Sequence, residues 1–183
     1  LGMLSEKTFY LLGSSIAHSP SPAMHNAAFE WFELPYKYQK LQTDSLSDII
    51  DKLQTANFGG ASVTMPYKET IIPYRDEVAS AARQIGAVNT IVWDNDFAGR
   101  PVLRGYNTDW IGILRPIQER LLALQHTSRK GTILIIGAGG TARAAAFAVQ
   151  QLQMKLVVYN RTKSKAATIA DDFGGVLVDN LEL

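Results

Sequence analysis

The chain has 183 residues, 46% of them hydrophobic and 19% charged, with a formal net charge of +1. That composition supplies an ordinary apolar core and excludes a chain disordered by composition. The near-neutral charge gives no electrostatic ground for binding nucleic acid or a membrane surface. Cysteine is absent, so a disulfide framework and a thiolate metal site are excluded and a reducing compartment fits. No apolar run approaches the ~20 residues needed to span a bilayer, and Leu1 to Thr8 contain no secretory apolar region. A cytoplasmic protein is expected. No Met opens the chain at Leu1-Gly2, which suggests a larger parent polypeptide.

In chain order, Phe9 to Leu12 is a short apolar run ended by Gly13 and reads as a strand. Pro22 to Phe32 is expected to be a helix, with Met24, Ala27, Ala28 and Trp31 at helical spacing. Tyr36 to Leu41 alternates as a strand. Leu46, Ile49, Ile50 and Leu53 mark an amphipathic helix. Ala61 to Val63 is a further strand, running into a loop at Thr64-Met65-Pro66. Asn89 to Trp93 and Val102 to Tyr106 form a strand pair joined by a polar stretch. A long helix follows from Asp109 to about Gln125, with Ile113, Ile117, Leu121 and Leu124 on one side, and then a polar stretch from His126 to Lys130. The alternation predicts an α/β fold with a mostly parallel sheet. The domain boundary is expected in or just after the long helix, giving domains over residues 1–125 and 126–183.

The second part opens with Ile133 to Ile136, whose unbroken β-branched run predicts a strand buried on both faces. It passes directly into Gly137-Ala138-Gly139-Gly140-Thr141-Ala142 and an Ala-rich helix. A glycine turn between strand and helix leaves room for a pyrophosphate at the backbone N–H groups, where the helix N-terminus favours an anion. Gly137, Gly139, Gly140 and Ala142 are therefore the cofactor-binding candidates. The next strand, Leu156 to Tyr159, ends in Asn160-Arg161-Thr162. It carries no acidic residue for a ribose 2′-hydroxyl, and Arg161 offers charge to the 2′-phosphate of NADP. A solvated basic turn is the alternative.

In the first part, polar residues cluster at the ends of apolar elements. Ser19-Pro20-Ser21-Pro22 sets two hydroxyls near a helix start, suited to a carboxylate. The same residues also read as Ser21 capping a helix that has Pro22 at its first position. Ser62 to Lys68 turns at Pro66 and delivers a lysine, a proton donor responsive to its surroundings. Asn89-Thr90 and Asn107-Thr108-Asp109 add amide, hydroxyl and carboxylate groups. Asp109 fits equally as an acidic helix-start residue. His18, His25 and His126 have no metal-ligand spacing, and no metal is expected.

Taken in order, Ser19-x-Ser21-Pro22 with His25-Asn26, Val63-Thr64-x-Pro66-x-Lys68, Gly86 to Thr90, Asn107-Thr108-Asp109, and the Gly137 turn with Asn160-Arg161-Thr162 resemble the shikimate dehydrogenase family from about Phe9 to Asn180. The resemblance implies an N-terminal substrate-binding domain followed by a partial Rossmann-type domain. It also implies NADP-dependent interconversion of 3-dehydroshikimate and shikimate in aromatic amino acid biosynthesis. By the same resemblance Ser19 and Ser21 hold the substrate carboxylate, and Thr64, Asn89 and Asp109 contact ring hydroxyls. Lys68 and Asp109 form the catalytic pair. Trp110 and the opening residues resemble the fungal members that end a pentafunctional shikimate-pathway polypeptide. The related quinate-pathway repressor, whose homologous domains sense shikimate or quinate without turnover in the nucleus, is the alternative. Family members continue beyond the point matching Leu183, so a C-terminally truncated segment inactive by itself is expected. The expected partner is a small-molecule substrate; neither nucleic acid nor a membrane is expected to bind.

Overall fold

The computed structural model describes residues 5–124 and 131–181. The chain divides into two units, Leu1–Ala82 with Val88–Tyr106, and Arg83–Ala87 with Asn107–Leu183. The stretch His126 to Lys130, and the expected boundary between residues 125 and 126, lie outside the described residues. The observed division falls earlier, after Tyr106, and puts the long helix with the second unit.

The first unit is built on strands β1 (Lys7–Gly13), β2 (Tyr36–Gln42), β3 (Phe58–Val63), β4 (Glu77–Val78), β5 (Thr90–Asn95) and β6 (Pro101–Tyr106), in the spatial order β2-β1-β3-β5-β6-β4. β1 runs parallel to both β2 and β3, whereas β5 and β6 form an antiparallel hairpin beside β3. β1 shows why two layers are needed. Its alternate residues Tyr10 and Leu12 pack with Ile49 and Leu53 of α2 (Leu46–Leu53), and with Phe58 and Ile91. Leu11, with Phe9, faces the opposite side toward Tyr38 and Phe29, as the two-residue side-chain period of a strand requires.

Helix α1 (Ser21–Trp31) forms where expected, but with another face inward. Met24 is 68% and Trp31 82% exposed, and Ala27 and Ala28 also face solvent. The inward side carries Asn26 and Phe29. The reason is a polar clip. Asn26 Oδ1 accepts the Tyr38 N–H at 2.7 Å and its Nδ2 donates to the Tyr38 carbonyl at 3.0 Å. β2 is the sheet edge, so the amide satisfies backbone groups that no further strand pairs. His25 stacks on the Tyr38 ring at 4.2 Å.

A charged cluster ties β4, β5 and β6 together. Arg104 pairs with Glu77 at 2.6 Å and with Asp94, which also accepts the Tyr106 hydroxyl. These contacts hold the Asp94 carboxyl below its ordinary range, first through the Tyr106 hydroxyl and then through the Asn95 N–H.

The second unit contains α5 (Asp109–Ala123), β7 (Thr132–Ile136), α6 (Gly140–Gln151), β8 (Lys155–Tyr159), α7 (Lys163–Phe173) and β9 (Val176–Leu177), with the strands parallel in the order β7-β8-β9. The end of α4 (Ser80–Ile85) and the two residues after it, Arg83–Ala87, also belong to this unit. α5 belongs here because it packs on α6, with Trp110 edge-on to Phe147 at 5.2 Å. Expected burial of β7 on both faces is not what the structure shows. Ile135 is buried, but Leu134 and Ile136 on the other face are exposed. A continuous apolar run does not say how many of a strand's faces are covered.

Candidate functional site

The first unit's cavity sits where sheet topology puts it. The chain leaves β1 for β2 on one side and crosses to β3 on the other, so the carboxyl ends of β1 and β3 flank a switch point, the usual ligand position in such sheets. There the loop after Gly13 and the start of α1 enclose a cavity of about 500 Å³, with Ser15, His18, Ser19, Ser21, Gln42 and Thr64 in its wall. The two expected serines are adjacent. Ser19 Oγ donates to Ser21 Oγ at 3.0 Å and accepts the Ser21 N–H at 3.3 Å. Ser21 is not the cap of α1. The helix begins at Ser21 itself, with Pro20 in the capping position and no side-chain cap.

Thr64 is fixed by its N–H to the Leu12 carbonyl at 2.9 Å. Met65–Pro66 is a cis peptide bond, and Lys68 follows in the short helix α3 (Tyr67–Thr70). The Lys68 carbonyl accepts the Val88 N–H at 2.7 Å, and the Asn89 carbonyl accepts the Val63 N–H at 2.7 Å. Lys68 and Asn89 therefore lie at the same end of the sheet as Thr64, outside the cavity wall itself. Asp109 opens α5 in the second unit.

Sequence reasoning missed Ser15, His18 and Gln42. Gln42 ends β2 opposite Gly13 of β1, and its Oε1 accepts the Ile16 N–H at 3.3 Å. A polar residue at the carboxyl end of a parallel strand next to the switch point was the available signal.

In the second unit, β7 and β8 pair so that Ile136 lies opposite Tyr159, and the Gly137 N–H bonds the Tyr159 carbonyl at 2.8 Å. The glycine turn and Asn160-Arg161-Thr162 are thus neighbours at the carboxyl ends of adjacent parallel strands. Gly137 has φ +129°, and open space surrounds the positions where a Cβ on Gly137 or Gly139 would sit. α6 starts at Gly140 with no side-chain cap and no acidic residue in its first turn. Ala142 lies in that first turn. Arg161 and Thr162 are exposed, and Asn160 Nδ2 donates to the Thr162 carbonyl at 3.0 Å. An open glycine cradle, an uncapped helix start and a basic strand end fit a phosphorylated dinucleotide.

An α/β substrate unit with a polar cavity, followed by a Rossmann-type nucleotide unit, defines a two-domain dehydrogenase architecture. Comparison with known proteins agrees. Residues 11–91 match the shikimate dehydrogenase substrate binding domain, and residues 121–183 match shikimate / quinate 5-dehydrogenase. The pentafunctional AROM polypeptide of Malassezia globosa is 44% identical over 177 residues, covering 93% of this chain and 11% of that protein. Shikimate dehydrogenase from Aquifex aeolicus superposes with a TM-score of 0.80 at 33% identity, over 96% of this chain and 63% of that one. The Thermus thermophilus enzyme in complex with NADP(H) and shikimate gives 0.71 at 36% identity, over 94% and 63%. The chain belongs to the shikimate dehydrogenase family. It spans about a tenth of the length of the curated relatives it matches. Nothing in these likenesses speaks for the repressor alternative.

Proposed function

We propose that this chain supplies the substrate-binding domain and the first part of the NADP-binding domain of a shikimate dehydrogenase. The parent would be a larger multidomain polypeptide acting in the cytoplasm. The observation that carries the reading is the cavity lined by the Ser19 and Ser21 hydroxyls and Thr64. Two adjacent hydroxyls suit the two oxygens of the shikimate carboxylate, each through a charge-assisted hydrogen bond. Asn89, Thr64 and Asp109 then serve the ring hydroxyls. In the nucleotide unit, Gly137, Gly139, Gly140 and Ala142 would receive the pyrophosphate, and Asn160, Arg161 and Thr162 the 2′-phosphate end. The likeness to an enzyme in complex with NADP(H) and shikimate supports both assignments.

When bound, NADPH would supply hydride to the carbonyl carbon. Lys68 supplies the proton: its ammonium donates to the ketone oxygen as negative charge develops there, and its amine takes the hydroxyl proton back in the oxidative direction. The Asp109 carboxylate is the proposed partner that favours the charged ammonium. No described helix is long and apolar enough to cross a membrane.

The test is titration calorimetry of shikimate into the chain and into its Ser19→Ala and Ser21→Ala variants. Each substitution is expected to weaken binding by about 1–3 kcal/mol. Equal affinity in all three proteins would remove the carboxylate assignment.

A further inference from the structure

The segment Arg83–Ala87 belongs to the second unit, although the residues on both sides of it, up to Ala82 and from Val88, belong to the first. One of the side chains that hold it there is an arginine. Arg143, in the first turn of α6, donates from Nε to the Ile85 carbonyl and from Nη2 to Asp172 of α7 at 2.7 Å. Its guanidinium lies 5.4 Å from the Phe173 ring centroid. Gly86 has φ +71°, and a Cβ there would stand 2.9 Å from Arg143 Nη2. Glycine at this position therefore serves two needs: the left-handed backbone and the space the guanidinium fills. The Arg143 side chain is only 15% exposed, so α6 commits a largely buried cation to the backbone of a turn.

The far side of that turn leads to Asp109. The Ala87 carbonyl accepts from Asn107 Nδ2 at 3.0 Å, and Asn107 Oδ1 accepts the Asp109 N–H at 3.0 Å. Asn107 is buried, and its two bonds fix which end of the amide faces which group. An unbroken series thus runs from α7 through Arg143, the Ile85–Ala87 turn and Asn107 to the start of α5. It begins on the helices that carry the glycine turn and follow Arg161. It ends on the backbone of Asp109.

We propose that Arg143 is a positioning residue for the substrate site. It fixes the Ile85–Ala87 turn from within the nucleotide-binding unit and, through Asn107, sets where α5 begins and so where Asp109 presents its carboxylate. The inference rests on the reading of Asp109 as a substrate ligand. Arginine is required because its planar fork reaches a carbonyl and a carboxylate together. A lysine is a point charge that keeps the Asp172 attraction without holding both in that geometry.

Shikimate affinity would be measured by calorimetry on the 183-residue chain as wild type, Arg143→Ala, Arg143→Lys, Asp172→Asn and Val149→Ala, with a thermal melt of each. Val149 is a buried residue of α6 outside the series, and its truncation reports what loss of stability alone does to binding. Arg143→Ala is expected to weaken shikimate about 10-fold, within the range of residues acting through a packed network. Arg143→Lys should recover part of that loss, Asp172→Asn should lose less, and Val149→Ala should bind as wild type. Unchanged affinity in the Arg143 variants overturns the inference, and so does an equal loss in Val149→Ala. Should Arg143→Ala fail to fold, Arg143→Lys and Asp172→Asn decide by the same comparison. A wild-type chain that does not bind shikimate overturns the reading of the site and this inference together, whereas binding that is insensitive to Arg143 removes the inference alone.

Discussion

Replacing Asn107 with alanine removes two hydrogen bonds. The first leaves the Ala87 carbonyl without its donor, in a residue that is fully buried. An orphaned buried acceptor costs about 1–3 kcal/mol. The second frees the Asp109 N–H, the first of the donors that a helix start leaves without an intrahelical partner. Asp109 is half-buried, so water recovers part of that bond and the loss is nearer ~0.5–1 kcal/mol. Together the substitution should destabilise the second unit by about 1.5–4 kcal/mol. With a urea m-value of ~2 kcal/mol/M, the midpoint falls by about 0.75–2 M. Far-ultraviolet circular dichroism is the suitable probe, because α5, α6 and α7 all lie in that unit. Asn107→Asp keeps the acceptor for Asp109 but turns a carboxylate oxygen toward the Ala87 carbonyl, so at neutral pH it should rescue nothing. A shift below about 0.3 M for Asn107→Ala, outside the range expected for an orphaned buried group, would refute this accounting.

Arg161→Ala should weaken NADP+ while leaving NAD+ almost unaffected, because only the former carries the 2′-phosphate; parallel titrations of the two nucleotides check it, and equal losses would show that Arg161 does not read the phosphate. The Asp94 carboxyl, held low first by the Tyr106 hydroxyl, should give a pH-dependent contribution. A depressed carboxylate stabilises the fold fully above its unfolded value near 3.8, and the contribution is lost as pH falls below that through the folded value. Asp94→Asn should therefore have a lower urea midpoint than wild type at pH 7, with the gap closing on acidification below about pH 4; a gap that stays constant over that range would count against the linkage.

The local pattern carried the elements by itself. Alternation in β2, the four-residue spacing of Ile49 and Leu53, and the hairpin of β5 and β6 are short-range properties of a twisted strand or a 3.6-residue helix, so they read directly from the residues. The glycine turn was legible for the same reason: strand, turn and helix start are consecutive in the chain. Tertiary structure decided the rest. The face that α1 turns inward is set by Asn26 meeting the edge of β2, twelve residues away, and a hydrophobic count along the helix cannot see a polar clip. Ile133 to Ile136 forms a strand as expected, but only the surrounding layers determine that Leu134 and Ile136 are exposed. Gln42 enters the cavity wall because β2 pairs with β1 in the register that sets it opposite Gly13. Arg143 reaches a carbonyl 58 positions earlier, a partner that only folding brings near. Local propensity is written in neighbours along the chain; the site is made by neighbours in space, and those are fixed by strand order, register and the few polar side chains that bridge elements.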